Sequence, residues 1–271
     1  MSRESDRFQE LLHWFSKNGT AAIVALSGGV DSAVVALAAR KAFGNKAIAI
    51  TANYRTLSQE ELSSSLAIAQ EIGITHKLIE YDEIKYLDFA KNDQLRCYHC
   101  RKELGRRLAE QAIELNTDLI VDGTHLDDLC DDRPGIKAFE KYNVRSPMVE
   151  LSISKAQIRM IAKNFNLSVY DKPSNSCLAS RIPRGTTITY EKIARIEKSE
   201  SIVKGLFSVK QVRVRDHGDI ARIEVHQEEM PLLFEVSKLE NLDTLLKQLG
   251  FKYVSIDAGG YRGRNLVMIP S

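Results

Sequence analysis

The chain has little surplus of charge of either sign: 38 Lys and Arg stand against 36 Asp and Glu, for a net charge of +2. Bulk electrostatics therefore gives no reason to expect a polyanionic partner, and only a local basic surface could serve one. No apolar run approaches the ~20 residues that span a bilayer. The opening stretch, Met1-Ser2-Arg3-Glu4-Ser5-Asp6, is polar and lacks the apolar core of a secretory signal. A cytoplasmic location and no membrane partner are the expectations. Cysteine is scarce, four in 271 residues, which excludes a disulfide scaffold. In a reducing compartment, so few cysteines suggest metal binding or catalysis. Internal repeats and low-complexity tracts are absent. The apolar fraction of 44% and charged fraction of 27% are those of a soluble globular protein.

Alternating strand and helix patterns are present. An amphipathic helix from about Ser5 to Ser16 precedes an apolar strand, Ala21–Leu26, and a helix through Ala33, Val34, Val35 and Ala38. Further strands are expected at Ala47–Thr51, Lys77–Glu80 and Asp118–Val121. Helices are expected between Ser58, capped in a box with Glu61, and Gly73, from about His99 to Asn116, and from Ser154 to about Phe165. This order gives parallel βαβ units in a doubly wound α/β sheet. Ligands of such sheets lie outside the carboxyl ends of the strands, so the loops after Leu26, Thr51 and Val121 should converge. Prolines and glycine in 173–185 place a domain boundary between 1–184 and 185–271. The second part reads as a smaller α+β domain. It has a helix from Thr189, strands at Val209–Arg215 and Ile220–Val225 around a turn at Asp216–Asp219, a helix near Leu242–Leu249, and a strand at Tyr253–Ile256.

Between the first strand and helix lies Ser27-Gly28-Gly29-Val30-Asp31-Ser32. Two glycines allow a tight turn whose N–H groups point at an anion, and the helix N-terminus adds its dipole. Ser27 and Ser32 offer hydroxyls, and Asp31 can hold magnesium. The spacing of a Walker A loop is missing. Cys97-Tyr98-His99-Cys100 forms a CxxC, which reads as half a zinc site, a redox pair, two cluster ligands or two ordinary thiols. A second CxxC for a zinc ribbon is absent. Cys177 is a third candidate; three thiolates would leave one iron of a four-iron cluster open to sulfide. Cys130, among Asp127, Asp128, Asp131 and Asp132, reads as a bystander rather than a fourth ligand. Arg213 and Arg215 alternate with Val212 and Val214 on one strand face and suit a phosphate. Arg181 is a further phosphate candidate, with an ion pair as its alternative. Glu224 reads equally as a metal ligand or an exposed strand carboxylate.

The loop resembles the SGGxDS loop of the PP-loop ATP pyrophosphatases. Together with Asp122-Gly123-Thr124, Asp127-Asp128, Arg133-Pro134-Gly135, the stretch Ser176–Gly185, Val212–Arg215 and Asp219–Glu224, it makes nearly the whole chain resemble the LarE family of ATP-dependent sulfur transferases. That resemblance implies ATP and magnesium at Ser27, Gly28, Gly29, Asp31, Ser32, Gly123 and Thr124, with catalytic roles for Asp31 and Cys177. It implies a pyridinium biscarboxylate mononucleotide substrate whose carboxylate is adenylated and exchanged for a thiocarboxylate, feeding nickel-pincer cofactor synthesis. It also implies a homo-oligomer. Having Cys97 and Cys100 beside Cys177, the sequence resembles the type that binds a [4Fe-4S] cluster rather than the type that sacrifices a single cysteine; the source of the sulfide is left open. The alternative is a tRNA sulfur-inserting PP-loop enzyme. The near-neutral charge and the lack of a zinc-ribbon or RNA-binding extension argue against nucleic acid.

Overall fold

The computed structural model describes residues 3–130 and 134–261. The chain divides into two compact units, Met1–Asn175 and Ser176–Ser271. In chain order, the first unit holds α1 (Arg3–Asn18), β1 (Ala22–Ala25), α2 (Val30–Phe43), β2 (Ala47–Asn53), α3 (Gln59–Ile72) and β3 (Thr75–Glu80). It continues with α4 (Leu87–Ala90), α5 (Arg96–Glu114), β4 (Ile120–Val121), α6 (Pro134–Glu140), β5 (Val144–Arg145), α7 (Pro147–Glu150) and α8 (Lys155–Asn164).

The five strands form one parallel sheet in the order β3-β2-β1-β4-β5. Strand order reverses between β1 and β4, which makes that crevice the expected ligand position of a doubly wound sheet. Both faces are covered, as parallel sheets require. Ala22 and Val24 of β1 pack with Phe8, Leu11 and Phe15 of α1, with α2, and with Ile158 and Ile161 of α8. Ile23, between them, points to the other face, among Ile50, Leu108, Ile120, Phe139 and Val144. α2 is buried on every side from Ala33 to Ala39, so it is the central helix of its layer rather than an amphipathic surface helix.

In the second unit, Cys177 precedes a 3-10 turn, Leu178–Arg181. Then come α9 (Tyr190–Phe207), β6 (Val212–His217), β7 (Ile220–Val225), α10 (Val236–Gln248) and β8 (Tyr253–Ile256). β6 and β7 pair antiparallel and β7 and β8 parallel. Val203, Phe207, Val212, Val214, Ile223 and Leu246 lie at their core. Among the described residues, no helix is long and apolar enough to cross a membrane.

Several boundaries differ from the sequence reading. α5 begins at Arg96 rather than His99, so the CxxC forms its first turn; no side chain caps this helix, and the sequence carries no start signal there. β6 runs Val212–His217 rather than Val209–Arg215, and α10 begins at Val236. β5, α6 and α7 were not foreseen. Ser58 caps α3 through Glu61 N, as expected. The Glu61 carboxylate does not complete the box on Ser58; it turns to Lys172 and Asn175. Asp131, Asp132 and Arg133, with the Cys130 side chain, lie outside the described residues.

Candidate functional site

The turn after β1 is shaped by contacts that only glycine permits. Gly28 has φ +76°, and a Cβ there would stand 2.7 Å from Glu61 O and 2.8 Å from Ser65 N. The loop thus lies directly on α3. Ser32 is buried and ties the loop to itself: its Oγ accepts from Ser27 N at 3.1 Å, lies 3.1 Å from Ser27 Oγ, and donates to Gly29 O at 3.1 Å. The first bond of α2 runs from Ala33 N to Gly29 O. The N–H groups before it are the unsatisfied donors that open a helix to an anion.

Gly123, after β4, approaches the same helix start. A Cβ on it would be 2.7 Å from Ser32 N and 3.1 Å from Asp31 C. The β1 and β4 loops therefore meet at the switch point of the sheet. Asp31 receives both of its short contacts from Lys155, at the start of α8, with Nζ 2.5 and 2.6 Å from its two oxygens. His125 Nε2 stands 3.8 Å from Asp31 and 3.6 Å from Asp128. Asp122 is buried and accepts from Thr124 Oγ1 and from Ser146 Oγ at 2.6 Å. Arg101 NH1 lies 3.6 Å from Asp122 and donates to Thr124 Oγ1 at 3.4 Å. Cations and carboxylates thus alternate around the helix start: Lys155 and Arg101 with Asp31 and Asp122.

Arg101 also links this crevice to the cysteines, because it leaves the same helix one residue after Cys100. Cys97 is exposed and Cys100 half-buried. Three residues apart on the first turn of α5, they share a face in the positive field of the helix N-terminus. Arg96 NH2 is 3.9 Å from Cys97 Sγ. The nearby Tyr81 hydroxyl is buried without a hydrogen-bond partner among the described residues. Burial first, and then charge on Cys100, push this phenol well above its ordinary pKa. Two thiolates at this spacing fit two corners of an iron–sulfur cluster. Among the described residues, no three Cys, His, Asp or Glu side chains gather as a metal site. Cys177 belongs to the second unit.

In that unit, Arg181 is buried rather than presented to solvent. Its Nε donates to Glu200 Oε1 at 2.7 Å and its NH2 to Oε2 at 3.2 Å. Its NH1 donates to Ser176 O at 2.7 Å, to Ser180 Oγ at 3.0 Å and to Cys177 O at 3.4 Å. It clamps the turn that carries Cys177. Glu200 also accepts from Val214 N, at 3.1 Å. Arg213 and Arg215 do share a face of β6, opposite Glu224 and Arg222 of β7. Arg215 pairs with Glu224 at 2.9 Å, as does Arg222. Glu224 is thereby buried between two arginines and is not an exposed strand carboxylate. Among the described residues, Arg213 has no carboxylate of its own. Its guanidinium lies 4.1 Å over the Tyr261 ring, its NH2 donates to Ser176 Oγ at 3.1 Å, and its buried Nε has no hydrogen-bond partner among the described residues. Burial, and next the charges of Arg181 and Arg215, lower its pKa to about 10. Of the three arginines, Arg213 is the one that an incoming anion would satisfy.

Sequence reasoning missed Lys155, His125, Arg101 and Lys172. The first three reach the crevice from outside the SGGxDS loop. Only tertiary folding reveals them, Lys155 being 124 residues from Asp31.

The family model described as "Queuosine biosynthesis protein QueC" matches residues 21–100. This span runs from β1 through the CxxC. An uncharacterised protein of Synechocystis sp. is 40% identical over 245 residues, covering 90% of this chain and 91% of its own length. The pyridinium-3,5-bisthiocarboxylic acid mononucleotide synthase of Lactiplantibacillus plantarum is 31% identical over 242 residues, 88% of this chain and 86% of its own. The 7-cyano-7-deazaguanine synthase of Acaryochloris marina is 44% identical, but over only 62 residues, 22% of this chain.

Proposed function

The chain belongs to the LarE family of PP-loop proteins, and from that premise we propose that it uses ATP to convert a carboxylate of pyridinium-3,5-biscarboxylic acid mononucleotide into a thiocarboxylate, in nickel-pincer cofactor synthesis. The observation that carries this reading is the meeting of the Ser27–Ser32 loop, the Gly123 approach and the Lys155–Asp31 pair at the start of α2.

A carboxylate oxygen is a poor leaving group. In the first step a substrate carboxylate oxygen attacks the α-phosphorus of ATP. The α–β phosphoanhydride bond breaks, and pyrophosphate leaves with its electron pair. Loop N–H groups and the α2 dipole face the pyrophosphate charge as it develops. Asp31 would hold magnesium, and Lys155 balances its charge in the absence of the ion. Gly123 and Thr124 border the adenosine side. In the second step a sulfur nucleophile attacks the acyl carbon and AMP departs with the former carboxylate oxygen. Cys97, Cys100 and Cys177 would hold an iron–sulfur cluster, which when bound would supply sulfide in deprotonated form. Arg213, short of an anion, takes the substrate phosphate beside Arg215. Arg181 holds the Cys177 turn in shape.

Incubation of the anaerobically purified protein with ATP, magnesium, sulfide and the pyridinium mononucleotide tests this. AMP, pyrophosphate and a product carrying sulfur for oxygen are expected. AMP formation that depends on tRNA and ignores the mononucleotide would move the chain to tRNA sulfur insertion instead.

A further inference from the structure

Lys172 lies outside every motif discussed above, yet it grips the phosphate loop. Its ammonium has three protons and three acceptors within reach: Gly28 O at 3.0 Å, Glu61 Oε2 at 3.0 Å and Ser64 Oγ at 2.8 Å. Ser64 in turn donates to the same Gly28 carbonyl at 2.9 Å. One loop carbonyl therefore accepts two bonds from the α3 side. In a trans peptide the C=O and the following N–H point in opposite directions. Holding Gly28 O toward α3 holds Gly29 N–H away from α3. The carboxylate that fixes Lys172 is Glu61, one reason it is missing from its expected capping box.

The segment around Lys172 is itself tied down. Arg159 donates to Tyr170 O and Lys172 O, both at 3.1 Å, and Asn175 donates to Glu61 Oε1 at 3.3 Å. Cys177 follows Asn175 by two residues in the chain. Residues 170–175, at the end of the first unit, are thus fastened through Glu61 and Lys172 to the phosphate loop.

We propose that Lys172 is a positioning residue for the nucleotide step: with Ser64 it orients the Gly28–Gly29 peptide so that its N–H faces the pyrophosphate part of ATP, and its charge adds to the field there. This inference rests on the reading of the loop as an ATP site. It acts on the β- and γ-phosphates and not on the adenosine, so it separates ligands in a way that general loss of structure would not.

The test is titration calorimetry of ATP, inorganic pyrophosphate and AMP against the full-length wild type, Lys172→Met, Lys172→Arg and Ser64→Ala. Lys172→Met should weaken ATP and pyrophosphate about tenfold, the usual scale of one charge-assisted hydrogen bond, and leave AMP within about twofold. Lys172→Arg should recover part of the loss. Unchanged pyrophosphate affinity in Lys172→Met, or equal losses for AMP and pyrophosphate, overturns the proposal. If Lys172→Met does not fold, Ser64→Ala decides: about threefold weaker pyrophosphate supports the proposal, and wild-type affinity overturns it. A wild type that binds neither ATP nor pyrophosphate overturns the nucleotide reading itself, and this inference with it.

Discussion

Arg181→Met separates two accounts of one residue, phosphate ligand and internal clamp. The Arg181 side chain is fully enclosed, and it makes bonds to both Glu200 oxygens and to three groups of the Ser176–Ser180 turn. Methionine fills much of the same volume but leaves Glu200 as a buried carboxylate that keeps, among the described residues, only its bond from Val214 N. Breaking a buried pair on one side costs about 3–5 kcal/mol, a large part of the ~5–15 kcal/mol that holds a domain folded. In a domain of roughly 100 residues each kcal/mol moves the melting midpoint by about 4–8 °C. The second unit should therefore melt at least about 12 °C earlier. Scanning calorimetry of the full chain measures this. Adding Glu200→Gln to Arg181→Met should return part of the loss, because the two residues share one interaction. Wild-type melting combined with a selective rise in KM for the mononucleotide would refute the clamp and restore Arg181 as a ligand.

Three other outcomes follow from the same geometry. Gly28→Ala places a methyl 2.7 Å from backbone at φ +76°. AMP formation should fall at least tenfold, while stability falls by about 1–3 kcal/mol; an active, unchanged variant would mean that the loop is not held as described. Arg213→Met should raise KM for the mononucleotide about tenfold or more with KM for ATP unchanged, read from initial rates; an equal rise in both would remove Arg213 from the substrate side. Desolvation raises the pKa of Glu103, but hydrogen bonds from Arg106 and Arg107 outweigh it and hold the carboxyl at about 2. A depressed carboxyl stabilises the fold above its ordinary value near 4.5 and loses that contribution as pH falls toward about 2. Glu103→Gln should accordingly be less stable than wild type in urea at pH 7, with the gap closing through that acid window; a gap independent of pH would contradict the assignment.

The sequence made the centre of the site legible and hid its supports. Strand, two glycines and helix announce the phosphate loop because Gly28 must adopt a positive φ and touch α3, and no other residue type does both. The parallel sheet was readable from its alternating elements. β5, only Val144–Arg145, is too short to leave a pattern. α5 starts without a capping side chain, so the expected start at about His99 falls three residues late and leaves Cys97 outside the helix. Glu61 was read by local rules as a capping partner, and a lysine 111 positions away claimed it instead. The pairing of Arg213 and Arg215 on one face followed from strand alternation. The register of β6 against β7 sets Glu224 directly opposite Arg213, yet Glu224 pairs diagonally with Arg215, a choice that strand alternation does not reveal.

The most direct measurement of the central claim is isotopic. The pyridinium mononucleotide, with both carboxylates labelled in oxygen-18, is turned over with ATP, magnesium and sulfide, and the AMP is weighed by mass spectrometry. Carboxylate adenylation followed by attack of sulfur predicts one labelled oxygen in each AMP formed and one lost from each thiolated carboxylate. Unlabelled AMP, or ADP in its place, would contradict the account.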